Sequence, residues 1–141
     1  ECKPFILISE LEGEFKNMKT NDLFGILNKL KRDEKYLLIN HPRVEGLAKK
    51  LCKLNENRYI DILKKTISHS QEDYFLVFEH GDFAPWNICQ KINEYVLFDF
   101  EYFEEDGLEY LDLIKYYFQT GRLLKKHNVS ELRLYIFQKI S

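Results

Sequence analysis

Residues 78–89 read Phe78-Glu79-His80-Gly81-Asp82-Phe83-Ala84-Pro85-Trp86-Asn87-Ile88-Cys89. The stretch places His80, Gly81, Asp82 and Asn87 behind an apolar run, with Pro85 and Trp86 set among them. Gly81 permits a tight or left-handed backbone and Pro85 fixes its own φ, so a rigid loop is predicted that holds a carboxylate and a carboxamide at a defined separation. Two explanations compete here. An Asp in a loop containing Gly and Asn can be a turn cap and nothing more. Alternatively the loop is a site, in which the Asn87 amide oxygen and a carboxylate from the following strand form a hard-oxygen pair. Such a pair suits Mg²⁺, which keeps several waters and takes further ligands from phosphates. Asp82 is then left to accept a hydrogen bond from a hydroxyl nucleophile.

The flanks supply the strands. Tyr74 to His80 (YFLVFEH) is a continuous apolar run leading into the loop, and Tyr95 to Phe103 (YVLFDFEYF) is predicted as a second strand. A period of two puts Leu97, Asp99 and Glu101 on one face and Val96, Phe98 and Phe100 on the other. Earlier in the chain, Pro4 to Gly13 (PFILISELEG) is predicted as a strand running into an extended connector. Three helices are predicted between these regions. The first follows cap residues Thr20 to Asp22 in TNDLFGILNKLKRDEK, with Leu23, Ile26, Leu27 and Leu30 at helical spacing. RVEGLAKKLCKL and RYIDILKKTI carry Val44, Leu47, Leu51 and Ile60, Leu63, Ile67 as their buried stripes, opposite solvated Lys and Glu faces. A long helix is expected from Leu108 to about His127, and Ser130 is expected to cap a last one running to Ile140. The fold class is mainly α with short β-hairpin elements, an α+β arrangement.

Composition narrows the possibilities further. A chain of 141 residues with 45% hydrophobic and 15% aromatic residues is globular and sized for one domain with a core. The formal net charge is −2 and the Lys and Arg residues are spread out, so no nucleic-acid partner is expected. Cys2, Cys52 and Cys89 form neither a CxxC pair nor a His-bearing ligand set, which fits a reducing, cytoplasmic setting. The apolar runs fall far short of the roughly 20 residues that cross a bilayer, so no membrane partner is expected. The chain opens at Glu1 on a strand-like run, which is read as a piece of a longer chain.

The loop, followed by FDFE (98–101) and then GLEYLDL (107–113), resembles three ordered signatures of the aminoglycoside phosphotransferase and choline kinase family. Those signatures are H-G-D-x-x-x-x-N, (I/F)-D-(W/F)-E and G-x-x-x-x-D-L. They belong to small-molecule kinases with a protein-kinase-like fold. The resemblance covers Phe78 to Leu113 and, more weakly, FILISELEG, which is similar to the last N-lobe strand and hinge. It implies that residues 1–13 are that strand and hinge and that 14–141 are the helical C-lobe. It implies further that Asp82 is catalytic, that Asn87 and Asp99 hold Mg²⁺, and that Asp112 braces the catalytic loop. Hinge residues Glu10 and Leu11 would contact ATP. The implied activity is ATP- and Mg²⁺-dependent phosphoryl transfer to a small-molecule hydroxyl such as an aminoglycoside, choline or a sugar-like acceptor.

The chain departs from the family pattern in two places. The N-lobe with its phosphate-covering loop and ATP-pairing Lys does not precede Pro4, so this stretch alone is not expected to turn over ATP efficiently. Leu108 and Glu109 replace the Asp-Pro often found after the Gly of the third signature. Protein kinases carry Arg before the catalytic Asp and Lys two positions after it; Gly81 and Ala84 stand there, which argues for a small acceptor.

Other residues admit bland readings. His80 is a base by type, but it follows a strand and is read as a structural histidine that hydrogen-bonds the loop backbone. Asp112 lies among Leu108, Leu111, Leu113 and Ile114, so it is expected to be buried and to need partners. Glu104, Glu105 and Asp106 can attract a cationic acceptor or simply favour a helix N-terminus. Glu101 is either a neighbour of the metal site or a surface charge, and Trp86 a packing anchor or a stacking platform. Two alternatives to the kinase stand beside it: an inactive kinase-like module that binds nucleotide or a partner, and a metal-dependent hydrolase using His80, Asp82 and Asp99.

Overall fold

The computed structural model describes residues 18–90 and 94–140. Its elements, in chain order, are α1 (Thr20–Asn28), β1 (Lys31–Leu37), α2 (Pro42–Lys53), α3 (Asn57–His69), β2 (Asp73–Glu79), β3 (Ile88–Gln90), β4 (Tyr95–Leu97), β5 (Glu104–Leu108), α4 (Leu111–Gln119) and α5 (Val129–Ile140). They make a mixed α+β fold with two small antiparallel sheets, one ordered β1-β2-β5 and the other pairing β3 with β4. The expected strand at Pro4 to Gly13 lies outside the described residues. No helix among the described residues is long and apolar enough to cross a membrane.

The core gathers Leu23 and Ile26 of α1, Phe83 of the loop, Ile88 of β3, and Leu113, Tyr116 and Tyr117 of α4. α1 is docked at its start by two tyrosine hydroxyls: that of Tyr116 accepts the Met18 N–H at 3.2 Å, and that of Tyr117 shares a 2.7 Å hydrogen bond with Thr20. Thr20 therefore does not cap the helix. The N-cap is Lys19, which makes no side-chain cap bond.

The helix predicted over 20–35 ends at Asn28, and its second half is strand β1. The Leu30 carbonyl accepts the Phe78 N–H at 2.9 Å, which carries the chain out of the helix and onto β2. β1 and β5 are the edge strands around β2, and both are charged: Lys31, Arg32 and Lys35 on one edge, Glu104, Glu105 and Asp106 on the other. Edge strands tolerate charge, and charge discourages pairing with other chains. The acidic run thus belongs to an edge strand and not to a helix start. Arg32 joins the edges across β2 through Asp106 at 3.7 Å.

α2 begins as Pro42 at the first helical position permits, with the His41 Nδ1 accepting the Arg43 N–H at 3.2 Å. Burial, countered by a hydrogen bond to the Phe75 carbonyl, holds the His41 ring below its ordinary pKa. The expected stripes of α2 and α3 are only partly covered. Val44 is buried, Leu51, Ile60, Leu63 and Ile67 are half-buried, and Leu47 is exposed. The two helices pack on each other, and α2 on β5, in a layer outside the main core.

Two further expectations fail. The helix predicted from Leu108 starts at Leu111, because Leu108 closes β5 and Tyr110 turns the chain at φ 69°. Glu109 pins that turn to the sheet: its carboxylate accepts the Phe75 N–H at 3.1 Å and pairs with Lys31 at 2.5 Å. Burial works to raise the Glu109 pKa, but the bonds to Lys31, Phe75 and Tyr110 prevail and lower it. α4 then widens into a π turn over Thr120–Leu124. The cap of α5 is Asn128, not Ser130. Its Oδ1 accepts the N–H groups of Ser130 and Glu131, and Glu131 returns a carboxylate to the Asn128 N–H at 2.8 Å.

Candidate functional site

β2 delivers the chain to the loop in a buried state. Glu79 and His80 have no exposed surface, and Phe83 and Ala84, just beyond, have none either. Gly81 sits at φ 84°, and a Cβ there would lie 2.0 Å from the Tyr102 carbonyl oxygen. Only glycine fits, because both the left-handed backbone and the close approach of residues 98–103 exclude a side chain.

Asp112 ties the loop from beneath. Its Oδ2 accepts the His80 N–H at 2.6 Å and its Oδ1 the Gly81 N–H at 3.1 Å. The carboxyl is almost wholly buried. Burial raises its pKa, opposed by these two N–H groups and by Lys115. His80 uses both ring nitrogens within the site: Nδ1 accepts the Asp82 N–H at 3.3 Å, which leaves Nε2 to donate to the Phe98 carbonyl at 2.9 Å. The Phe100 ring lies 4.4 Å from the imidazole, centroid to centroid. These contacts occupy His80 as a brace between the loop and the segment after β4.

Asp82 is held at both carboxylate oxygens. Asn87 Nδ2 donates to its Oδ2 and to its backbone carbonyl, each at 2.9 Å, and Gln119 Nε2 donates to its Oδ1 at 2.6 Å. Asn87 is itself buried in a short 3₁₀ turn at Pro85–Asn87, where Pro85 starts the turn. With both amide hydrogens committed to Asp82, Asn87 presents its carbonyl oxygen as a donor for a cation.

The strand predicted over Tyr95 to Phe103 stops at Leu97. Asp99 lies at φ 63° on an exposed turn, so the alternation that paired it with Leu97 and Glu101 does not apply. Phe98 and Phe100 do not share a buried face either, since Phe100 is exposed. The turn is still anchored to the loop, because the Phe98 N–H donates to the Asn87 carbonyl at 3.3 Å and its own carbonyl accepts from His80. Asp82, Asn87, His80 and Asp112 therefore form one hydrogen-bonded unit, and no hydrogen bond joins the exposed Asp99 side chain to it. Glu101 is exposed, and Glu10 and Leu11 lie outside the described residues. Among the described residues no cluster of three His, Cys, Asp or Glu side chains could hold a metal ion. The oxygens of the kind Mg²⁺ takes are the Asn87 side-chain amide oxygen in the loop and the Asp99 carboxylate on the exposed turn after β4.

Four participants escaped the sequence reading. Lys115 Nζ donates to the Gly81 carbonyl at 2.9 Å and to Glu79 Oε1 at 2.6 Å, and Arg43 reaches that same Glu79 oxygen at 3.0 Å. Gln119 completes the set. Lys115 and Gln119 stand three and seven residues after Asp112, a spacing that puts all three on one helical face and that the sequence already contained. Arg43 and Glu79 left no such signal, since they meet only when α2 packs on β5, whose Glu104 the same Arg43 also pairs with at 3.0 Å.

Comparison with known proteins finds no matching family model, no matching curated protein and no matching solved structure.

Proposed function

We propose that this chain is the helical C-lobe of a kinase-like phosphotransferase that uses ATP and Mg²⁺ to phosphorylate a small-molecule hydroxyl. The observation that carries the reading is the Asp82 carboxylate, fixed by Asn87 and Gln119 on a loop that Asp112 and Lys115 hold by its backbone. Phosphoryl transfer asks little covalent chemistry of a protein and much positioning, so a rigid carboxylate suits it. In this reading Asp82 accepts a hydrogen bond from the acceptor hydroxyl, orients its oxygen toward the γ-phosphorus of ATP, and takes the proton as the new P–O bond forms and the bond to the β–γ bridging oxygen breaks, releasing ADP. The side-chain amide oxygen of Asn87 and the Asp99 carboxylate would hold Mg²⁺, which supplies charge neutralisation on the phosphates when bound. A cytoplasmic setting accompanies an ATP-dependent reaction.

The test is ATP consumption by the full-length protein against a panel of aminoglycosides, choline, ethanolamine, sugars and amino-alcohols, with Asp82→Asn beside the parent. Turnover with one acceptor class, lost by orders of magnitude in Asp82→Asn while ATP affinity holds, is the expected result. Binding of Mg²⁺-ATP with no transfer to any acceptor would favour a nucleotide-binding module instead. Near-normal turnover by Asp82→Asn would remove Asp82 from the chemistry.

A further inference from the structure

We infer that Gln119 is a positioning residue for Asp82, the last rung of a ladder that one face of α4 presents to the loop. This inference rests on the phosphotransferase reading and adds to it a residue that none of the three signatures contains.

The rungs follow the chain in order. Asp112 accepts the backbone N–H groups of His80 and Gly81, Lys115 donates to the Gly81 carbonyl, and Gln119 donates to the Asp82 side chain. One and the same rigid helix thus sets the loop's backbone and the direction of its carboxylate. The Gln119 bond is short, at 2.6 Å, and it spans 37 positions of sequence. A side-chain amide ordered at that distance limits the Asp82 rotamer where the loop backbone alone would not. Asn87 takes the second carboxylate oxygen from the opposite side, so the carboxylate is gripped between two amides. Each carboxylate oxygen has a further lone pair, so this grip still leaves acceptor capacity for a substrate hydroxyl.

The backbone changes character immediately beyond Gln119. α4 ends there and the π turn Thr120–Leu124 begins, with the Lys125 N–H bonded to the Thr120 carbonyl at 3.1 Å. Widened turns of this kind are frequent at functional sites, where they shift the register of side chains on either side. Gly121 in that turn packs under Leu132 and Tyr135 of α5, so the helix end is fixed from outside as well. Gln119 is half-buried and is not a member of the apolar core. Its polar contact, more than its bulk, is therefore what it brings to the site.

The experiment compares three substitutions in the full-length protein, using Mg²⁺-ATP and the best acceptor from the screen. Gln119→Met keeps the side-chain length and removes the donor, Gln119→Glu sets a carboxylate against Asp82, and Gln119→His retains an N–H at similar reach. With the donor lost, kcat should fall by up to about 10²-fold, the scale expected when a reacting group is misplaced by an ångström or so. The KM for Mg²⁺-ATP should stay within about twofold of the parent, since the loss falls on the chemical step. Gln119→Glu should be the poorest, and Gln119→His should recover much of the kcat lost in Gln119→Met. A purely structural role predicts the reverse order, with Met tolerated best and thermal midpoint tracking activity. Parent-like kcat in Gln119→Met, or a kcat above the parent, overturns the inference alone. A parent that transfers phosphate to no acceptor overturns the phosphotransferase reading and the inference with it.

Discussion

Asp112 Oδ2 lies 2.6 Å from the backbone nitrogen of His80, thirty-two positions earlier in the chain. The bond sets the height of the loop above α4, and the companion bond from Gly81 sets its direction. Removing the carboxylate in Asp112→Ala would strand two N–H groups, one of them fully buried, at about 1–3 kcal/mol each. Asp112→Asn keeps one acceptor and turns an amide N–H toward the other, so it should lose less. Chemical denaturation of the three proteins checks this. Equal stability for all three would mean that the loop does not depend on Asp112.

Gly81→Ala should be worse than an ordinary glycine substitution. The new Cβ meets the Tyr102 carbonyl at 2.0 Å and the residue sits at φ 84°, so the loop and the 98–103 segment must separate. The cost should exceed the roughly 1 kcal/mol at stake where the native backbone accepts Ala. Thermal unfolding reads the stability, and turnover in the screen should fall with it. A variant of unchanged midpoint would show that these two segments are not tightly apposed.

Asp99 and Asn87 should separate metal binding from folding. Asp99 is exposed at φ 63°, a conformation that Asn tolerates and Ala does not, so Asp99→Asn removes charge with little backbone strain. Calorimetry with Mg²⁺-ATP should show binding weakened by at least about tenfold, with the thermal midpoint unchanged. Asn87→Ala should weaken binding too, but it also strips the Asp82 carbonyl and carboxylate of their donor, so its stability should drop by about 1–3 kcal/mol. Parent-like Mg²⁺-ATP binding by Asp99→Asn would take Asp99 out of the metal site.

Acid should destabilise the fold through His41. Burial lowers its pKa from the ordinary 6.5, so the folded state favours the neutral ring, whose Nδ1 accepts the Arg43 N–H. The resulting stability is present above pH 6.5 and is lost as pH falls through the lowered value. His41→Asn keeps a capping oxygen without a titrating ring and should flatten this part of the profile. Asp112 acts with the opposite sign. Its pKa is raised, so its contribution to stability grows as pH falls through that value toward 3.8. Unfolding free energies measured from about pH 8 to about pH 5 test the His41 part, because the loss sets in below the ordinary 6.5 while most carboxylates are still charged. A parent profile as flat as that of His41→Asn would refute it.

Some of this fold was legible in the residues themselves. α2 and α3 announced themselves through apolar spacing, and Pro42 marked the start of α2. Tyr74 to His80 was a strand by its apolar run, and Gly81 and Pro85 marked a rigid loop. These are local facts, in which side chains constrain their own backbone or one helical turn. β1 and β5 were not legible, because an edge strand is held by main-chain bonds to β2 and its side chains can be Lys-Arg-Asp-Glu-Lys or Glu-Glu-Asp as readily as apolar. The same holds for the break after Leu97, where Phe98 still donates to Asn87 in the β3–β4 register but gives its carbonyl to His80 and Asp99 turns away at φ 63°, and for Tyr110, which turns because Glu109 is tied to Lys31 and Phe75. Residue type alone singles out the loop side chains able to accept a proton or offer an oxygen, Asp82 and Asn87. What holds them, with Gln119 on one oxygen of Asp82 and Asn87 on the other, was decided only when α4 came against the loop that follows β2, since hydrogen bonds between distant segments exist only after the chain has closed on itself.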